Sequence, residues 1–259
     1  ALHILPLRMW EGFAKSSFMS RKWNGALVFL ALVLTPIGRA DEPRGFQPDP
    51  KKLWLGIEDH SGQPMNWEST WKNEKGKQIY LKDAFSHLRP TLFSLIYFGC
   101  PSTCTLAVQN LAAALRRLDW LPGRDFNVVL ASIDPTEETE LAADKKVSIL
   151  QLYGKPETEA GWTLLTSDQR QIDTLTQGLG YGYSWDPKER QYEHAAGIFV
   201  INRNRLLTRL LLGTGPSARD IKFALLEASG GELGTPWDQF RLSAYEYNAP
   251  EGAYLLKPP

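Results

Sequence analysis

Two short, nearly unbroken apolar runs constrain this chain more than any other feature. Residues 91–98 (TLFSLIYF) and 126–133 (FNVVLASI) lack the apolar–polar alternation of a half-exposed strand. Runs of that length and composition are expected of strands buried on both faces. Gly99-Cys100-Pro101 breaks the first run and Asp134-Pro135 ends the second. After the first break, Leu106, Leu111, Ala114, Leu115 and Leu118 recur at helical spacing. After the second, residues 137–153 read as a helix whose acidic first turns suit the positive end of its dipole. Further on, a short strand is expected at 162–165 and a helix at 168–178. A hairpin follows at 197–201 and 206–212, around Asn202-Arg203-Asn204-Arg205, and then a helix at 217–228 with Gly230-Gly231 beyond its end. Residues 79–81 could form one short strand ahead of all this. Strands that alternate with helices imply an α/β fold: a central, mostly parallel sheet with helices on both faces and an antiparallel hairpin at its edge. Ligand sites in such sheets lie past the carboxyl ends of the strands, where Cys100 and Asp134 both stand.

Around this core the chain divides by composition. Residues 1–40 read as a targeting segment, with a signal peptide at about 19–40. Met19-Ser20-Arg21-Lys22 supplies a positive start, residues 25–34 an apolar stretch, and Gly38-Arg39-Ala40 small residues suited to cleavage. That apolar stretch falls short of the roughly 20 residues of a membrane-spanning helix, so a cleaved signal and a periplasmic location are expected rather than a stable membrane span. Residues 41–54, rich in Pro and charge, read as a linker. The folded domain is expected over 55–230, with a C-terminal extension over 231–259. Lys and Arg number 29 and so do Asp and Glu, so no net field steers the protein to nucleic acid. A monomer is expected.

The chain has only two cysteines, Cys100 and Cys104, within one pentapeptide. A disulfide closing so short a loop constrains the unfolded chain little, so the pair suits thiol exchange or metal chelation better than stapling. A place between a strand end and a helix start favours thiolates, which are soft donors for Cu(I) or Zn(II). The plain alternative is two small buried apolar side chains. His194, just ahead of the strand at 197–201, would be an ordinary histidine if taken alone. In a sheet of this kind its loop could approach the cysteine loop and complete a three-coordinate sulfur, sulfur, nitrogen site. Asp134 fits a turn former or a site residue equally well. His3, His60 and His87 are expected to be solvated.

The ordered combination Tyr97-Phe98-Gly99-Cys100-Pro101-Ser102-Thr103-Cys104, Ser132-Ile133-Asp134-Pro135 and His194 resembles the Sco/SenC family of copper chaperones over about residues 55–229. The resemblance implies a thioredoxin-like fold and copper held, as Cu(I) or Cu(II), by Cys100, Cys104 and His194, with Asp134 at an acidic position nearby. It also implies a role in assembling the copper centre of cytochrome c oxidase, whose copper-bearing subunit would be the partner. Some family members instead act as thiol–disulfide oxidoreductases, a reading in which Cys100 and Cys104 would be catalytic. Many members carry an acidic residue where this chain has Ser102, and many are tethered by a membrane helix. The segments GTPWDQ (234–239) and YEYNAPEGAY (245–254) are similar to the C-terminal extension of a longer bacterial branch. A peroxidase on the same fold finds no specific pattern around Cys100.

Overall fold

A computed structural model describes residues 56–258 apart from Pro64, Pro101 and Ser102, and for Thr103 and Cys104 the backbone alone. The expected signal peptide and the expected linker both lie outside the described residues. In chain order the elements are β1 (Thr70–Asn73), β2 (Gln78–Tyr80), α1 (Leu81–Ala84), β3 (Thr91–Ile96), α2 (Thr103–Arg116), β4 (Asn127–Ser132) and α3 (Thr139–Tyr153). A 3-10 turn at Pro156–Gly161 precedes β5 (Trp162–Thr166) and α4 (Gln169–Gly178). Then come β6 (Tyr183–Asp186), β7 (Gln191–His194), β8 (Gly197–Ile201), β9 (Leu207–Leu212) and α5 (Ala218–Ala228). The chain closes with α6 (Pro236–Ser243), β10 (Tyr245–Asn248) and β11 (Ala253–Leu256).

Seven strands form one sheet in the order β2-β1-β5-β4-β3-β8-β9. The two apolar runs became β3 and β4, paired in parallel from Thr91 opposite Asn127 to Ile96 opposite Ser132. β5 joins β4 in parallel, and antiparallel pairs continue the sheet on either side: β8 and β9 beyond β3, β1 and β2 beyond β5. The β8–β9 edge is the hairpin expected from the sequence. The β1–β2 hairpin is a second antiparallel edge, of which only the segment near Ile79 showed in the sequence.

Both faces of the sheet centre are covered. Phe93, Val129, Leu130, Leu164, Phe199 and Val200 are all essentially inaccessible to solvent. Neighbouring strand residues point to opposite faces, so runs buried at consecutive positions, as in β4 and β8, require cover on both. Burial of each such side chain contributes about 1.5 to 3 kcal/mol. The architecture is the thioredoxin-like α/β sandwich.

Three of the helices start where the sequence offers caps. Asp168 accepts from the Gln171 N–H ahead of α4, and Ser217 accepts from the Asp220 N–H ahead of α5. Thr235 and Asp238 form a reciprocal capping box at α6, with Pro236 in its first turn.

The C-terminal extension packs onto the outer edge of this sheet. The Leu212 N–H in β9 donates to Gly252 O at 3.2 Å, and the Tyr247 hydroxyl donates to Leu210 O at 2.5 Å. Gly252 has a φ of +57°, and a Cβ there would meet Leu212 N at 2.5 Å, so the approach requires glycine. The fully buried Tyr254 packs edge-on to Phe223 of α5, and its hydroxyl donates to Glu227. Arg209 pairs with Glu227 at 2.7 Å while lying over the Tyr247 ring, and Arg219 lies over Tyr245.

Candidate metal centre

The parallel register of β3 and β4 sets the geometry. Ile96 and Ser132 lie abreast, and the Ile133 N–H donates to Ile96 O at 2.8 Å. The two chains therefore leave the sheet side by side, one turning into Cys100 and the other into Asp134. Cys100 is buried, and its N–H closes a turn on Tyr97 O at 3.3 Å. Its carbonyl accepts from the Thr105 hydroxyl at 2.8 Å, which ties the turn to the start of α2. Cys104 lies in the first turn of α2, as its spacing predicts.

His194 departs from the expected loop position. It is the last residue of β7, opposite Tyr183 in a two-stranded ribbon that stands apart from the main sheet. The ribbon brings the imidazole, half-buried, to 6.1 Å from the Tyr97 ring, centre to centre. Tyr97 is the residue whose carbonyl closes the turn into Cys100. His194 Nδ1 lies 2.7 Å from the Tyr181 hydroxyl and 2.9 Å from Ala195 O, and that hydroxyl donates to the same carbonyl at 2.9 Å. A carbonyl only accepts, so this network assigns the ring proton to Nδ1 and the lone pair to Nε2, the tautomer a metal needs. Burial pulls the His194 pKa below its ordinary value, against the opposing pull of the Ala195 carbonyl, which favours the neutral ring.

Asp134 behaves as a turn former. One carboxylate oxygen accepts from the Thr136 N–H at 2.8 Å and the Thr136 hydroxyl at 2.6 Å. The carboxylate that reaches the cysteine turn is Glu137. The sequence places it as the first residue of a helix, whereas α3 begins two residues later and Glu137 folds inward. Its oxygens accept from the Phe98 N–H at 2.8 Å, the Gly99 N–H at 2.6 Å and the Ser132 hydroxyl at 2.6 Å. Burial pushes its carboxyl above the usual range, and those three donors oppose the push.

Tyrosines complete the surroundings. Tyr192 packs between Tyr97, at 5.5 Å, and Trp185, at 5.0 Å. Among the described residues its buried hydroxyl has no hydrogen-bond partner, and burial, with the carboxylates of Asp134 and Glu137, pushes its pKa up. Tyr181 and Tyr192 both closely precede His194 in the sequence, but nothing in their spacing shows that they turn toward it. Of the other histidines, His87 is exposed. His60 is not simply solvated, since its Nδ1 lies 2.7 Å from Gly178 O.

Among the described residues, no group of three His, Cys, Asp or Glu is placed to hold a metal ion. The side chain of Cys104 lies outside that description. Among the described residues, too, no helix is long and apolar enough to cross a membrane. What is fixed is a buried thiol turn and a neutral imidazole, both packed on Tyr97. One sulfur and one imidazole nitrogen suit a soft or borderline metal, and a second thiolate from Cys104 would fit the same preference.

These features define the class first: a thioredoxin-like α/β domain with a cysteine turn at the end of a central strand. The sequence pattern of the SCO1/SenC family matches residues 68–224, more than half of the chain, and the chain belongs to that family. No curated protein matches its sequence. Among solved structures, one from Aquifex aeolicus VF5, assigned to electron transfer, is 20% identical with a TM-score of 0.57, covering 66% of this chain and 96% of its own. Arabidopsis thaliana ScoI, solved with copper bound, is 16% identical with a TM-score of 0.46, covering 55% of this chain and 84% of its own. Bradyrhizobium japonicum ScoI, also copper-bound, is 19% identical with a TM-score of 0.44, covering 61% and 94%. At 20% identity the likeness to the Aquifex structure is one of fold.

Proposed function

We propose that this protein is an exported copper metallochaperone that carries one copper ion on Cys100, Cys104 and His194 and passes it to the copper-bearing subunit of cytochrome c oxidase. The observation that carries this reading is His194, held as a neutral imidazole against Tyr97, in a chain of the SCO1/SenC family. A simple dithiol reductant has no use for an imidazole fixed in the ligand tautomer beside its cysteine turn.

The chemistry follows from the donors. Two thiolates and one imidazole satisfy Cu(I) at low coordination, while the nitrogen extends the site's tolerance toward Cu(II). Low coordination leaves room for an incoming ligand, so the ion can move by stepwise exchange of donors. Asp134 is a turn residue in this scheme and does not touch the ion. Export rests on the signal-like segment 19–40 and puts the protein in the periplasm, where a thiol pair can also cycle with a disulfide.

The test is metal stoichiometry of the reduced full chain after dialysis against a Cu(I) chelator, beside Cys100→Ser and His194→Ala. One retained copper in the parent, lost in Cys100→Ser and much reduced in His194→Ala, is expected. Stoichiometric copper in Cys100→Ser would end the proposal. Little copper in any of the three, with thiols that still exchange, would favour the oxidoreductase.

A further inference from the structure

We propose that Glu137 is a positioning residue for the cysteine turn, holding the backbone just ahead of Cys100 so that its sulfur is presented in one place to a soft cation. This inference deepens the metallochaperone reading and rests on it.

A strand that leaves its sheet loses the ladder partners of its next amide groups, and those groups must be satisfied elsewhere if they are buried. β3 ends at Ile96, and the N–H groups of Phe98 and Gly99 both turn to the Glu137 carboxylate, one to each oxygen. The oxygen that serves Phe98 also accepts from Ser132, the last residue of β4. A single side chain thus clamps the ends of two neighbouring strands. The approach is close: a Cβ added to Gly99 would stand 3.3 Å from the nearer carboxylate oxygen. Immediately downstream, the Cys100 N–H is spent on Tyr97 O and its carbonyl on the Thr105 hydroxyl. The backbone from Phe98 to Cys100 is therefore held at every amide N–H, and Glu137 supplies two of the three restraints.

A carboxylate is the only protein side chain that can do this. Three donors converge on two oxygens that both accept, while a carboxamide has one accepting oxygen and would turn an N–H toward an N–H. Burying a charge is costly, and a turn needing only stability could be capped at the surface. A site that must meet an ion gains from preorganisation, because donor atoms held within about 0.5 Å need no rearrangement on binding. Groups that orient ligands rather than touch the metal typically change affinity by about 10- to 100-fold.

The experiment compares the reduced full chain with Glu137→Gln, Glu137→Asp and Ser132→Ala. It measures Cu(I) affinity by competition with a chromophoric chelator and thiol exchange with a small aromatic disulfide, with thermal melts alongside. Glu137→Gln should lose about 10- to 100-fold in Cu(I) affinity and exchange at a changed rate, and Ser132→Ala should lose less. Glu137→Asp keeps the charge but cannot reach both amides, so it should resemble Glu137→Gln; if Glu137→Gln does not fold, Glu137→Asp decides on the same criterion. Copper affinity within about twofold of the parent in a folded variant overturns the proposal, even if the melting temperature has dropped. If the parent itself binds no Cu(I), the metallochaperone reading fails, and thiol exchange alone judges Glu137: an unchanged rate overturns its role and a changed one upholds it.

Discussion

The cysteine turn and the C-terminal extension are both built on tyrosines, and they use them in opposite ways. Around His194, Tyr97, Tyr181, Tyr183 and Tyr192 form an aromatic shell with no cation over its rings among the described residues; Tyr183 donates to the Asp173 carboxylate at 3.1 Å, and the hydroxyl of Tyr192 has no partner among the described residues. On the extension, Tyr245, Tyr247 and Tyr254 are tied to Arg219, Arg209 and Glu227 through ring faces and hydroxyls. The first arrangement buries an imidazole and so favours its neutral form. The second fastens one segment of chain to another. Tyrosine content alone therefore says little about role; the arginines over the ring faces of Tyr245 and Tyr247 mark the fastening set.

The sharpest way to separate the two regions is to cut one while reading the other. Cys100→Ser should abolish chelator-resistant copper, a loss of more than about 100-fold, with little change in melting temperature. Tyr254→Ala should do the reverse. Emptying a fully buried aromatic site costs about 3 kcal/mol or more, which lowers melting by on the order of 10 °C in a domain of this size, with copper affinity unchanged. If copper binding followed Tyr254→Ala downward, the extension would be part of the site and the comparison would break.

Titration gives two smaller effects. The pKa values of Tyr183, Tyr192, Tyr247 and Tyr254 are all raised, chiefly by burial. Above pH 10 the unfolded chain releases these protons first, so the folded state binds more of them and stability falls as pH rises. The slope is about 1.4 kcal/mol per pH unit for each proton. Denaturant unfolding between pH 8 and about 11 should show this loss, reduced in Tyr254→Phe at the extension and in Tyr192→Phe at the site. His194 works at the other end of the scale. Its pKa is lowered, so its contribution is present above the unfolded value of 6.5 and is lost as pH falls below it. His194→Gln should flatten the acid limb by about 1 kcal/mol or less. Phe240→Ser should have the smallest effect, within about 0.5 kcal/mol, because the stacked Trp237–Phe240 pair faces solvent and the hairpin holds the extension.

Most of the sheet could be read from the sequence because its central strands are apolar at consecutive positions. β3, β4, β5, β8 and β9 fall within two residues of their expected bounds, as do α2 to α5. β1, β6 and β7 escaped notice because each is four residues long and only partly buried, with charges interspersed. Those ribbons are stabilised by what they pack on, and that information is spread over distant residues. The same reason hid the setting of His194, whose ring direction depends on Tyr181 and Tyr97 from elsewhere in the chain. Cys100 was legible because a cysteine just past a buried strand has few bland explanations. Glu137 was not, since an acidic residue near a helix start is usually taken as a partner for the helix dipole, and only the β3–β4 register shows it turned inward.

The seal that β10 and β11 place on β9 carries a consequence for association. A sheet edge with unsatisfied amides is a template for other chains, and here the Gly252 carbonyl and the Tyr247 hydroxyl occupy part of that edge. Without residues 245–256 the domain would keep every donor atom of the cysteine turn and yet clump with its own copies.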